Sequence, residues 1–315
     1  MTTSKSVAKA RRLHLSSTFV SYIILVLAYL ILNMVMPISH TTLHRYHIHV
    51  TEYRLLMLGI ILPLIAIWFS AFYGYERLRE YRATIAGTSE AKGFGHIAMG
   101  FGWLAWGLPV ASIISTIFGG IAVEVGWFHT PAVIVDNYIS LAIAVGAFHF
   151  ISAGTHRLSP PIGKTRSVLG ARFFVLFFIL LTVSYCYLIT QNLQRPHPTS
   201  TDPYHIPLWA VLLTLAVPYL YAWFVGLWAA LEMNLYAATT RGVFYKHALR
   251  YLSSGLAMVV ASSIFIQYTS SASPSLSGDA LRSILLIIYG LLLVYAAGFA
   301  LVALGARKLK KIEEV

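Results

Sequence analysis

The sequence predicts an all-α integral membrane protein of eight transmembrane helices, built as two parallel (direct) four-helix repeats with both termini cytoplasmic. Three observations carry that expectation. Of the 315 residues, 58% are hydrophobic and only 11% are charged, where a soluble domain carries about 25% charged residues. The apolar residues fall in continuous runs, each long enough for the roughly 20-residue helix that a bilayer core requires. Two spaced motifs recur 155 residues apart. A water-soluble fold must coat its surface with polar groups, so this composition, with a mean hydropathy of +0.72, excludes an ordinary soluble enzyme and a disordered chain. Continuous rather than alternating apolar runs exclude a β-barrel.

Stretches free of Asp, Glu, Lys and Arg mark the spans in order: residues 17–37, 55–75, 97–123, 137–155, 173–194, 203–231, 251–278 and 283–306. The first follows Lys5, Lys9, Arg11 and Arg12 and is longer than the apolar core of a signal peptide, so it reads as an uncleaved first helix. Several runs exceed a span and must include loop. The Ser-rich stretch 269–278, with Pro274 inside it, is expected as a loop after the seventh span.

Orientation follows from the Lys/Arg bias of short loops. With the N-terminus inside, the inner segments hold 19 of the 23 basic residues, and only Arg45, Arg54, Arg195 and Arg282 fall outside. That predicts a multi-pass protein of the cell (inner) membrane. The formal net charge of +12 is then a topology signal and a contact with anionic headgroups, not a sign of a nucleic-acid partner. The expected partners are membrane lipids and a small solute or ion, with a homo-oligomer as one option. A single cysteine, Cys186, excludes a disulfide framework within the chain.

The recurring motifs are Pro63-x4-Trp68-Phe69 with Pro218-x4-Trp223-Phe224, and Tyr81-x-Ala83-Thr84-x2-Gly87 with Tyr236-x-Ala238-Thr239-x2-Gly242. Gly100 falls on Gly255 at the same offset. A small shift pairs Phe148, Gly154 and Leu158 with Phe299, Gly305 and Leu309. Residues 1–160 and 161–315 are therefore expected as the two repeats. With four spans in each, both have the same orientation, related by a pseudo-two-fold axis along the membrane normal.

Candidate sites are few. Ionisable groups are costly at membrane depth, and no catalytic grouping of Ser, His, Cys and Asp can be assembled. His40, His44, His47 and His49, with His205 in the related loop, supply imidazoles suited to a metal ion or to proton sensing. They equally suit a solvated outer loop. Haem A synthases share the layout of eight spans in two halves, but they carry histidines on even-numbered spans of both halves. Spans 2 and 8 here contain no histidine and the outer cysteine pair is missing, so that comparison fails. No cofactor is expected.

Glu76 and Glu232, near the inner ends of spans 2 and 6, are candidates for an inner gate. The small and hydroxylic residues of spans 3 and 7 suggest a polar pathway or cleft lined by Gly100, Pro109, Ser112, Ser115, Ser254, Ser262 and Gln267. Tight helix packing accounts for the same residues equally well. On this reading spans 3 and 7 meet at the axis, and the protein binds or passes a small solute, ion or lipid between its halves. The alternatives are a haem- or metal-binding redox protein and a non-catalytic scaffold or sensor partner. An enzyme is the less expected outcome.

Overall fold

The computed structural model of the chain describes residues 2–35, 50–125, 129–158, 208–240, 242–272 and 278–312, with Leu176 and Leu180 as isolated positions. The regular elements among them are all helical: α1 (Thr2–Val35), α2 (Val50–Thr84), α3 (Glu90–Glu124), α4 (His129–Leu158), α5 (Leu208–Val211), α6 (Val217–Thr239), α7 (Val243–Ala272) and α8 (Gly278–Ile312). A π-helical turn, Leu212–Ala216, joins α5 to α6. Seven helices are long and apolar enough to cross a membrane: α1, α2, α3, α4, α6 with its π turn, α7 and α8. The fifth expected span, 173–194, lies outside the described residues except for Leu176 and Leu180, both helical and exposed.

The helices outrun the charge-free runs that announced them. α2 continues helically through Glu76 to Arg82, and α3 begins at Glu90, because Arg and Glu are good helix formers and need only reach the headgroups with their tips. The stretch 269–278, expected as loop, is helical through Ala272, and α8 begins at Gly278. Pro63 and Pro109 sit inside α2 and α3. Pro218 offers no amide hydrogen to the Thr214 carbonyl and crowds it; the π turn lies immediately before it.

Neighbouring helices pack in the closed order α2, α3, α4, α6, α7, α8 and back to α2. α1 lies outside this ring against α3. Its buried Tyr22 hydroxyl stands 2.8 Å from the Trp68 carbonyl of α2 and 3.0 Å from the Ala105 carbonyl of α3, so one phenol hydrogen serves both helices. Large apolar side chains such as Ile24 and Ile31 on α1 and Leu286 and Leu293 on α8 are exposed, as a lipid-facing perimeter requires. The α2–α3 turn, residues 85–89, reverses at Gly87, whose φ of 101° only glycine adopts without strain.

The tightest seams are α3–α4 and α7–α8, and glycine makes both. A Cβ on Gly100 would lie 2.5 Å from the Ala147 carbonyl oxygen and 2.5 Å from the Ile151 side chain; one on Gly154 would lie 2.6 Å from the Gly93 carbonyl and 2.6 Å from Ile97. On the other pair, a Cβ on Gly255 would lie 2.6 Å from the Gly298 carbonyl and 2.8 Å from Val302, and one on Gly305 2.8 Å from the Ala248 carbonyl and 2.9 Å from Leu252. Backbones this close gain dispersion contacts along their length, which is the main attraction left between helices when lipid is as apolar as leucine.

Candidate functional site

Residues 2–158 and 208–312 meet along two seams, α2–α8 and α4–α6. Polar side chains from both parts of the chain converge at each end of this junction, with an apolar layer between.

At the end carrying the α2–α3 and α6–α7 turns, Glu90 opens α3 and reaches across the ring. Its carboxylate accepts a 2.8 Å hydrogen bond from the Tyr236 hydroxyl of α6 and a 3.2 Å bond from the Tyr245 hydroxyl of α7. Tyr81 of α2 is hydrogen-bonded to Tyr245 in turn. On the α4–α6 seam, buried Glu232 accepts from the Thr155 hydroxyl at 3.1 Å and from the Trp228 indole N–H at 2.9 Å, with His156 at 3.4 Å. On the α2–α8 seam, Glu80 binds Arg77 at 2.7 Å and Lys310 at 2.8 Å. The buried carboxylates of Glu232 and Glu80 are thereby hydrogen-bonded, as burial of a charge demands.

At the far end, Asn137 of α4 accepts from the Tyr219 hydroxyl of α6 through its carbonyl (3.3 Å) and from the Gln267 amide of α7 through its side chain (3.4 Å). The Ser115 hydroxyl of α3 bonds to the Asp136 carboxylate of α4, and Tyr138 to Thr214. Between the two ends lie Phe148, Phe299, Trp223 and Val260, all buried. Gly226 makes room there, since a Cβ would lie 2.7 Å from Val260 and 3.1 Å from Phe148.

The expected site residues fall into different settings. Gly100 and Pro109 are buried, and Gly100 belongs to the α3–α4 seam. Ser112 returns its hydroxyl to the Leu108 carbonyl of its own helix, 3.0 Å away. Ser254 is exposed on the outer surface, whereas Ser262 is buried with no hydrogen-bond partner for its hydroxyl among the described residues. Ser115 and Gln267 alone of this set join the polar end described above. The expectation that α3 and α7 pack together at the axis does not hold: the ring places α4 and α6 between them on one side, and α8 and α2 on the other. Their glycines are spent on α4 and α8 instead.

Of the two gate candidates, Glu232 sits on the α4–α6 seam, and Glu76 is buried on α2 with Arg79 at 3.5 Å. His40, His44, His47, His49 and His205 lie outside the described residues. Elsewhere, His149 bonds Tyr221 at 2.9 Å, and His96 stands 3.1 Å from Arg157; among the described residues, no three metal-ligating side chains gather.

Sequence reasoning missed Glu90 and Tyr245. The signal was present, since the two positions are 155 residues apart and flank the repeated Tyr-x-Ala-Thr-x2-Gly motif. A glutamate at the start of a helix, however, reads as an ordinary complement to the helix dipole. Comparison with protein-family models, curated proteins and solved structures finds no match to this chain.

Proposed function

We propose that this is an eight-span protein of the cell (inner) membrane, built of two parallel repeats with cytoplasmic termini, that binds or passes a small solute, ion or lipid between its halves. The repeat reading draws support from the glycine contacts. Gly93, Ile97 and Gly100 meet Ala147, Ile151 and Gly154, while Ala248, Leu252 and Gly255 meet Gly298, Val302 and Gly305. The first set maps onto the second at an offset of 155 for α3 to α7 and 151 for α4 to α8, the offsets of the sequence matches. The cytoplasmic assignment rests on the 19 basic residues of the inner segments.

One observation carries the functional reading: side chains from both halves converge at both ends of the junction, Glu90 with Tyr236 and Tyr245 at one end and Asn137 with Tyr219 and Gln267 at the other. Polar clusters at both ends of an aromatic layer suit a guest that enters from one face and rests against apolar walls. The test needs no knowledge of the guest. In protein with Cys186→Ser, single cysteines at Ser115 and at Glu90 are exposed to a membrane-impermeant thiol reagent in intact cells and in inverted vesicles. Modification of Ser115→Cys from outside and Glu90→Cys from inside is expected. A chain in which neither position reacts from either side is a sealed scaffold, and the passage reading falls.

A further inference from the structure

Beside the α2–α3 turn, at the edge of the junction of the halves, an open cleft of about 540 Å³ lies between the last turns of α2 and the first turn of α3. That volume falls in the range of small-molecule sites, about 300–1,000 Å³. Arg79, Arg82 and Lys92 line it together with Glu80, Gly87 and Ala91. The acids nearby are already engaged: Glu80 is held by Arg77 and Lys310, Glu76 by Arg79, and Glu90 faces Tyr236 and Tyr245. Five cations, Arg77, Arg79, Arg82, Lys92 and Lys310, against Glu76, Glu80 and Glu90 leave a positive excess of two. The first turn of α3 adds amide N–H groups without helical acceptors and the positive end of a 35-residue helix. Arg82 is laid across α3 because residue 95 is glycine: a Cβ there would stand 3.0 Å from the Arg82 Nε.

We propose that this cleft binds a phosphate group, with Arg79 and Arg82 as its guanidinium donors and Lys92 as a third cation at the helix start. Planar guanidiniums pair with phosphate oxygens two at a time, and the helix terminus supplies further donors without adding charge of its own. The chain marks the place as special. At the positions 155 residues on, Arg79 and Arg82 are replaced by Asn234 and Ala237, although the turn motif itself is retained. A topology signal alone asks for positive charge anywhere on this face, and the counterpart turn meets it with Arg241, Lys246 and Arg250; it does not ask for a walled cleft. The phosphate arrives either on a lipid headgroup or as a soluble anion, and the two sources are separable.

Full-length protein is extracted from vesicles of phosphatidylcholine and phosphatidylglycerol, and retained lipid is counted by native mass spectrometry while inorganic phosphate is titrated in. Arg79→Gln with Arg82→Gln should lower retained phosphatidylglycerol or bound phosphate at least about tenfold, through loss of their charge-assisted hydrogen bonds to phosphate. Arg250→Gln with Arg307→Gln, exposed cations at the same end of the bundle, should leave binding unchanged. Lys92→Gln, exposed in the first turn of α3, should cost about fivefold and decides the matter should the double variant fail to fold. Phosphatidylglycerol held against excess inorganic phosphate assigns a lipid. Phosphate binding lost in the cleft variants, with no lipid retained, assigns a soluble anion. Equal losses in the cleft and control variants, or none in either, overturn the site.

Discussion

The glycine seams of the two halves are alike, and the turns beside them are not. Gly100 on α3 and Gly255 on α7 press against carbonyl oxygens of α4 and α8 at 2.5 and 2.6 Å from where a Cβ would stand. At the turns, Gly87 and Gly242 occupy matching positions, yet Arg79, Arg82 and Glu90 face Asn234, Ala237 and Tyr245 across the same offset. Close backbone contact tolerates almost no variation, because any added atom must displace a helix in a layer packed like a crystal. Side chains at the ends of a bundle meet headgroups and water, where a changed charge costs little. The glycine contacts recur in both parts of the chain while the polar contacts do not: Glu90 finds its donors in Tyr236, which matches Tyr81 at the same offset, and in Tyr245, which stands where the first part has Glu90 itself.

The largest expected effect tests the likeness. Gly100→Leu and Gly255→Leu each force a side chain into a carbonyl of the next helix, and each should cost about 3 kcal/mol or more or prevent folding. Thermal unfolding followed by size-exclusion profile measures both. Similar losses sharpen the comparison, and a Gly255→Leu protein as stable as the parent breaks it. A smaller effect tests the difference. Glu90→Ala leaves two phenol hydroxyls without their acceptor and should cost about 1–3 kcal/mol, whereas Tyr245→Phe removes one donor and should cost about 0.5–1.5 kcal/mol. The reverse order would mean that the carboxylate does not hold this end of the junction together.

Much of the fold was legible in the sequence for a simple physical reason. In hydrocarbon the backbone must satisfy itself, so a long charge-free run has few options but a helix. The ends were less legible, because Arg77, Arg79 and Arg82 read as charges of an inner segment yet continue α2 for two turns. The glycines of α3 and α7 announced close approach correctly. What they did not announce was the partner: a small residue states that something comes near, not which helix comes, and the choice fell on α4 and α8. Tertiary hydrogen bonds were the least legible of all. Glu90 and Tyr236 are separated by 146 positions, and no local pattern records a bond of that reach. Arg79, Arg82 and Lys92 were visible only as topology signals until the turn at Gly87 folded them around one cleft.

The account stands on how the halves join, and paired cysteines read that directly. In a Cys186→Ser background with a protease site inserted between the halves, Gly74→Cys with Ala303→Cys probes the α2–α8 seam. A Cβ on Gly74 lies 3.6 Å from the Ala303 Cα, so the two Cβ atoms lie within about 5 Å, near the range of roughly 3.5–4.5 Å that a disulfide takes. Oxidation with a membrane-permeant reagent should hold the two proteolytic fragments together on a denaturing gel. Ser112→Cys with Ser262→Cys, near-isosteric changes on helices that the ring keeps apart, should release them. Fragments joined through positions 112 and 262 but not through positions 74 and 303 would put α3 and α7 at the axis and contradict the arrangement described here.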